Sequence, residues 1–256
     1  MIKLLLMPTV IAGVTAVSRK WGNTIGGILA GLPWVAAPIL FFIAIERGVP
    51  FATNTIPGIM VGVLGWLFFC FIYVLVGQRF NAFISLMSGY IAYLVLGVFL
   101  RPFTSLISLH IWVLLVVIAI IITIRFFPKA KPSLLQNFRK LRFEIPLRML
   151  MITLFVIAVT YFADILGPTW SGILTPFPIM SAVLGVFTHY TQGIEQVKTV
   201  YMGLFTGILG FSTFLYLQAY LMPNTTLLNA FLIGIAVDIV LTILSKKVLT
   251  NLKVLQ

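Results

Sequence analysis

Long apolar runs follow one another along this chain, and the polar residues gather in short clusters between them. Runs of about 17–25 apolar residues are long enough to cross a bilayer core. They lack the two-residue alternation of a membrane strand. Backbone groups in lipid must bond within their own segment, so the runs read as helices. The pattern predicts nine, over roughly 3–18, 24–46, 55–77, 81–100, 104–126, 146–164, 169–189, 198–221 and 226–245. The expected fold class is all-α: a polytopic helical membrane protein.

Composition agrees with that reading. The 256 residues are 61% hydrophobic and 9% charged, where a soluble domain carries about a quarter charged residues. The net charge of +12 sits in the loops. It reads as positive-inside bias rather than a nucleic-acid surface. The stretch FPKAKPSLLQNFRKLRFEIP is the natural linker between two halves, and its basic residues place it in the cytoplasm. Alternation from that anchor gives 14 cations on the cytoplasmic side and three, Lys3, Arg47 and Arg101, outside. The N-terminus is then outside and the C-terminus cytoplasmic, in a bacterial inner membrane. The opening MIKLLLMPTV resembles a signal peptide, but its charged region is minimal and the repeat described next includes it as a helix. Cys70 stands alone in an apolar run, so it reads as a small buried hydrophobe.

The chain repeats itself. Shifted by 145 residues without a gap, Gly22 meets Gly167, Thr24 meets Thr169, and Gly27-Ile28-Leu29 meets Gly172-Ile173-Leu174. Pro33 meets Pro178, Gly48 meets Gly193, Gly62 meets Gly207, Gly65 meets Gly210 and Gly89 meets Gly234. Residues 1–100 and 146–256 are the two copies, with 101–145 as a linker helix and basic loop between them. The copies start five helices apart, an odd offset, so they are expected to point in opposite directions. Inverted repeats of this kind are a frequent build of secondary transporters. Gly62, Gly65, Gly207 and Gly210 suit close helix packing. Pro33 and Pro178 fall near the middle of equivalent helices, where each removes a helical hydrogen bond. Freed backbone at membrane depth is tolerated where it lines a cavity. Thr24, Gly27 and Pro33, with Thr169, Gly172 and Pro178, are therefore the candidate substrate-binding residues.

The second copy, with Phe177-Pro178, His189-Tyr190 and Gly193 in GILTPFPIMSAVLGVFTHYTQGIEQ, resembles the small GlpM-type inner-membrane proteins of bacteria. The first copy departs from the pattern, with Ala44 and Ile45 where the second has His189 and Tyr190. The resemblance implies a membrane role loosely tied to exopolysaccharide production, and a chain built as a fused, inverted duplication of such a unit.

Candidate chemistry is sparse. Of five acidic residues, Glu46, Glu144, Asp164 and Glu195 fall at predicted helix ends or in loops. Asp238 falls inside the last helix, where an ionisable residue is costly and functional by default. It is the candidate proton or coupling-ion site, with His110 as a second. The competing reading is pairing of Asp238 with Lys246 or Lys247. Lys3 and Arg148 stand at equivalent helix starts and are candidate mouth charges for an anionic substrate, against simple snorkelling. No hydrolase, phosphate-loop or metal motif occurs, so neither an enzyme nor a cofactor is expected. The expected function is a secondary transporter, a permease or a lipid-precursor translocator. A channel and a scaffold subunit are the alternatives. Membrane lipid and a small-molecule or lipid-linked substrate are the expected partners, with homodimerisation compatible.

Overall fold

A computed structural model describes residues 33–131 and 144–251. They are helical, with no strand among them. The helices are α1 (Ala36–Arg47), α2 (Val49–Gly77), α3 (Ala82–Leu100), α4 (Leu109–Phe126), α5 (Glu144–Tyr161), α6 (Ala163–Leu174), α7 (Ile179–Gln192), α8 (Ile194–Asn224) and α9 (Leu227–Asn251). Five are long and apolar enough to span a membrane, or six if the bent pair α5–α6 counts as one.

Helices α2 and α8 form the buried centre. They run antiparallel: the Trp66 ring meets Phe205 at 5.7 Å, and Tyr73 meets Tyr201 at 5.6 Å. Helices α3, α4 and α9 lie outside them. Each buries one face and exposes large apolar side chains on the other, such as Ile91, Phe99, Ile121, Leu232 and Ile243. In water so large an apolar surface would be a liability. In a bilayer it faces chains as apolar as itself.

Helix ends follow local chemistry. Asn81 caps α3 by accepting the Ile84 N–H at 3.0 Å. Gly48 separates α1 from α2, and Gly193 separates α7 from α8. Both have φ near +85° with extended ψ (87, 159 and 84, 172). That region is almost closed to side chains and costs on the order of 1–3 kcal/mol for other residues. The two glycines are equivalent under the repeat shift, and so are the starts of α2 and α8 and those of α3 and α9. Contacts repeat with the same offset. A Cβ on Gly65 would press on Tyr93 and one on Gly210 on Asp238, while Gly89 and Gly234 sit against Phe69 and Phe214.

Nine unbroken spans are not what the described residues form. The expected helix 3–18 lies outside them. After Pro33 the chain forms α1, whose 12 residues reach only about 18 Å. The expected helix 169–189 is interrupted at 175–178, where Pro176 and Pro178 remove two N–H donors. Between α5 and α6 the axis swings by 119° at Phe162. Within α6, Gly167 adopts φ 69 and ψ 170. Helices α6 and α7 nonetheless follow α2 in one direction. Gly58 faces Thr169, Gly62 faces Ile173 and Pro176, Trp66 bonds Ser181, and Tyr73 bonds His189. Together they run alongside α2 from Gly58 to Tyr73, with a break at 175–178.

Candidate functional site

The break in α6–α7 and the start of α1 after Pro33 meet at one cavity. Residues 33–36, Val63 and Trp66 of α2, residues 175–178, Met180 and Ser181 of α7, and Leu204, Ile208 and Phe211 of α8 line it. Its volume is about 70 Å³. That suits a few waters and falls far short of the roughly 300–1,000 Å³ of a small-molecule pocket. Five pairs of its lining residues match under the repeat shift: 33 and 178, 35 and 180, 36 and 181, 63 and 208, 66 and 211.

The Gly172 and Leu174 carbonyls, which lose their usual donors to Pro176 and Pro178, accept the Thr175 and Phe177 N–H groups instead, both at 3.0 Å. The Tyr93 hydroxyl donates to the Ile173 carbonyl at the end of α6. Thr175 Oγ1 donates to Ser171 O at 2.7 Å. The Ala37 N–H bonds Pro33 O at 2.9 Å, and the equivalent Ala182 N–H bonds Pro178 O at 2.8 Å. At the start of α7 the Met180 and Ser181 N–H groups take no backbone acceptor among the described residues, as is usual in a first turn. A polar side-chain pair stands in the wall: Trp66 Nε1 donates to Ser181 Oγ at 3.0 Å. Their equivalents in the other copies, Phe211 and Ala36, cannot form that bond.

An ion pair ties α1 to α6 at one end of the bundle, and a second, within α8, lies at the other. At the end where α2 begins, Arg47 pairs with Asp164, and Arg101 lies over the Trp170 ring at 5.4 Å. At the opposite end the buried Lys198 ammonium pairs with Glu195 at 2.7 Å. Glu195 also accepts the Lys131 N–H at 2.5 Å. Nearby, Tyr73 Oη lies 3.3 Å from His189 Nδ1.

The sequence candidates separate. Pro33 and Pro178 line the cavity. Thr169 and Gly172 do not: Gly172 lies backbone to backbone against Gly58, and Thr169 contributes its carbonyl to the same contact. Their role is helix packing. Lys3, Thr24 and Gly27 lie outside the described residues, and Arg148 lies in the first turns of α5. His110 is exposed at the start of α4, with Nε2 3.4 Å from the Tyr220 hydroxyl and its ring 5.5 Å from Tyr216. It is brought near neither the cavity nor Asp238. Asp238 is fully buried in α9. Among the described residues no ion pair joins it to Lys246 or Lys247. Sequence reasoning missed Trp66, Ser181, Ile208 and Phe211. The available signal was the pairing of positions 63 and 66 with 208 and 211, and of 36 with 181.

A larger concavity of about 580 Å³ lies between α2, α3 and α4, lined by Leu64, Phe68, Leu96, Trp112, Ile118 and Phe126 among others. It is almost wholly apolar and has little to orient a polar solute, so it suits lipid tails.

No family model, curated protein or solved structure matches this chain.

Proposed function

We propose that the chain is a membrane transporter in which two inverted repeats, 1–100 and 146–256, give alternating access to the cavity between their broken helices. The observation that carries this reading is the cavity wall itself, built from repeat-equivalent residue pairs around Pro33 and around the break at Pro178. Antiparallel α2 and α8 support the inversion. Two copies of one pattern in opposite orientations have two nearly equivalent arrangements, one open to each side. With Arg47 of α1 paired to Asp164 of α6 and a cavity of about 70 Å³, the described arrangement is the closed one between them.

In this reading the end carrying Arg79, Arg125, Lys129, Lys131, Lys198, Lys246 and Lys247 is cytoplasmic, and the Arg47 and Arg101 end is outside. The starts of α1 and α7 carry partial positive charge and meet an otherwise apolar wall. That combination suits a solute with one anionic group and an apolar body, such as an organic acid or a lipid-linked head group. The GlpM-type resemblance remains part of the proposal as a link to envelope polymer chemistry.

Ile208→Cys in a Cys70→Ala background tests the reading. Membrane-impermeant thiol reagents applied separately from each side of sealed vesicles should both label it. Counterflow in liposomes across a panel of anions, cations and neutral solutes should identify an anion that changes the labelling ratio. Labelling from neither side, with stoichiometric co-purification of other proteins, would point to a scaffold. Single-channel currents would point to a channel. A preference for cations or neutral solutes, unchanged in Arg148→Gln, removes the anion assignment.

A further inference from the structure

The fully buried Asp238 carboxyl has a singular setting. Among the described residues its Oδ2 has no hydrogen-bond partner, and its Oδ1 receives only the Thr242 hydroxyl, at 3.4 Å. Glycine at position 210 on α8 makes the room, since a Cβ there would overlap Oδ1 and crowd the Asp238 carbonyl at 2.6 Å. Helices α8 and α1 make the main contacts of α9. The α8 face around Gly210 offers no titratable side chain. On α1, Ala36–Ala44 is apolar and only Glu46 and Arg47, at its far end, are charged. On α9 itself the nearest charges are Lys246 and Lys247, two turns away. No cation reaches Asp238 among the described residues.

Its depth matters as well. Phe41 of α1 meets Phe231 of α9 at 5.1 Å, and the two helices run in opposite directions. Further along α9, past Phe231, Asp238 stands level with the start of α1 after Pro33. On α8 its neighbour Gly210 lies between Ile208 and Phe211, which line the cavity. The carboxyl therefore sits at cavity height, on an adjoining face of the same helix.

The equivalent position in the first copy is Tyr93, whose hydroxyl donates to the Ile173 carbonyl beside the second break. The residue type there carries an O–H. A carboxylate has no proton to give, and a carboxylic acid does. A metal cation is poorly served: one carboxylate and one hydroxyl are few oxygens against the six to eight that hard cations such as calcium take. No cluster of three or more His, Cys, Asp or Glu exists among the described residues.

We propose that Asp238 is a proton-binding site, loaded and emptied as the helices around the cavity rearrange, so that the coupling ion is a proton rather than sodium. This rests on the transporter reading for its purpose but not for its detection. Binding is a single event: the carboxylate takes one proton from water and becomes the neutral acid.

The test is infrared difference spectroscopy of the purified full chain during a pH titration, with sodium and then choline as the salt cation. Only five side-chain carboxyls contribute. A protonated-carboxyl C=O band from a dry environment should be present in wild type, lost in Asp238→Asn, and displaced in Thr242→Val. It should titrate alike in sodium and choline. Asp238→Glu keeps a titrating carboxyl and should show a displaced band, which guards against misfolding of the Asn variant. A band that persists in Asp238→Asn overturns the proposal, as does a titration midpoint that moves with sodium concentration. A band that behaves as expected in a protein without counterflow keeps the proton site and removes the transport reading.

Discussion

Gly172→Val should dismantle the packing of α6 on α2. A Cβ on Gly172 would overlap the Thr55 carbonyl oxygen and stand 3.0 Å from the Gly58 Cα, and one on Gly58 would stand 2.5 Å from the Thr169 carbonyl oxygen. These are backbone atoms, so no side chain can turn away to relieve them. Overpacking a tight site costs about 1–3 kcal/mol and occasionally more, and valine here belongs at or beyond the upper end. The fully buried Cys70, the one cysteine of the chain, supplies the measurement. A thiol-reactive dye reaches it only as the bundle opens on heating. The Gly172→Val midpoint should fall by several degrees or the protein should fail to accumulate. A wild-type midpoint would mean that the two helices do not lie this close.

Ala36→Leu should do the opposite to stability and, under the proposed function, stop transport. Ala36 lines the cavity from the start of α1. Leucine there fills apolar space that is otherwise empty or holds weakly bound water. Cavity filling commonly adds about 0.5–2 kcal/mol, so the Cys70 dye midpoint should rise. Counterflow should fall to background, because the closed arrangement gains and the solute's space is lost. Higher stability with unchanged counterflow would place the path elsewhere. Lower stability would mean that the cavity cannot accept the extra atoms.

The repeat register was legible because glycine and proline are the residues whose backbone demands a membrane helix cannot hide. It pointed to Pro33 and Pro178, which both line one cavity, and to glycines whose close contacts recur at the same offset. It could not tell lining from packing. Gly172 matches Gly27 as well as Pro178 matches Pro33, yet Gly172 serves a backbone-to-backbone contact. Trp66, Ile208 and Phe211 were illegible for a different reason. In lipid both faces of a helix are apolar, so periodicity does not say which face is buried. Boundaries drifted where polar residues sit inside a helix. Thr53 and Asn54 suggest a loop, but α2 starts at Val49 because Gly48 lets the chain turn there and Pro50 suits a first helical turn. The bend at Phe162 has no breaker of its own, and the nearest one, Gly167, lies more than a turn further on.

The two ion pairs differ in how they meet water. In the one that joins α1 to α6, Asp164 is 58% exposed and Arg47 31%. In the other, Lys198 is 3% exposed and Glu195 25%. Ionic strength therefore acts on them unequally. Going from about 0.1 M to 1 M salt shortens the reach of an exposed charge from about 10 Å to about 3 Å, while buried pairs are screened much less. Concentrated salt loosens the Arg47 link between α1 and α6 and leaves the Lys198 pair within α8 almost untouched. Under the proposed alternating access, with the Arg47 end outside, saline surroundings and an interior held steady would favour opening on the side facing the brine.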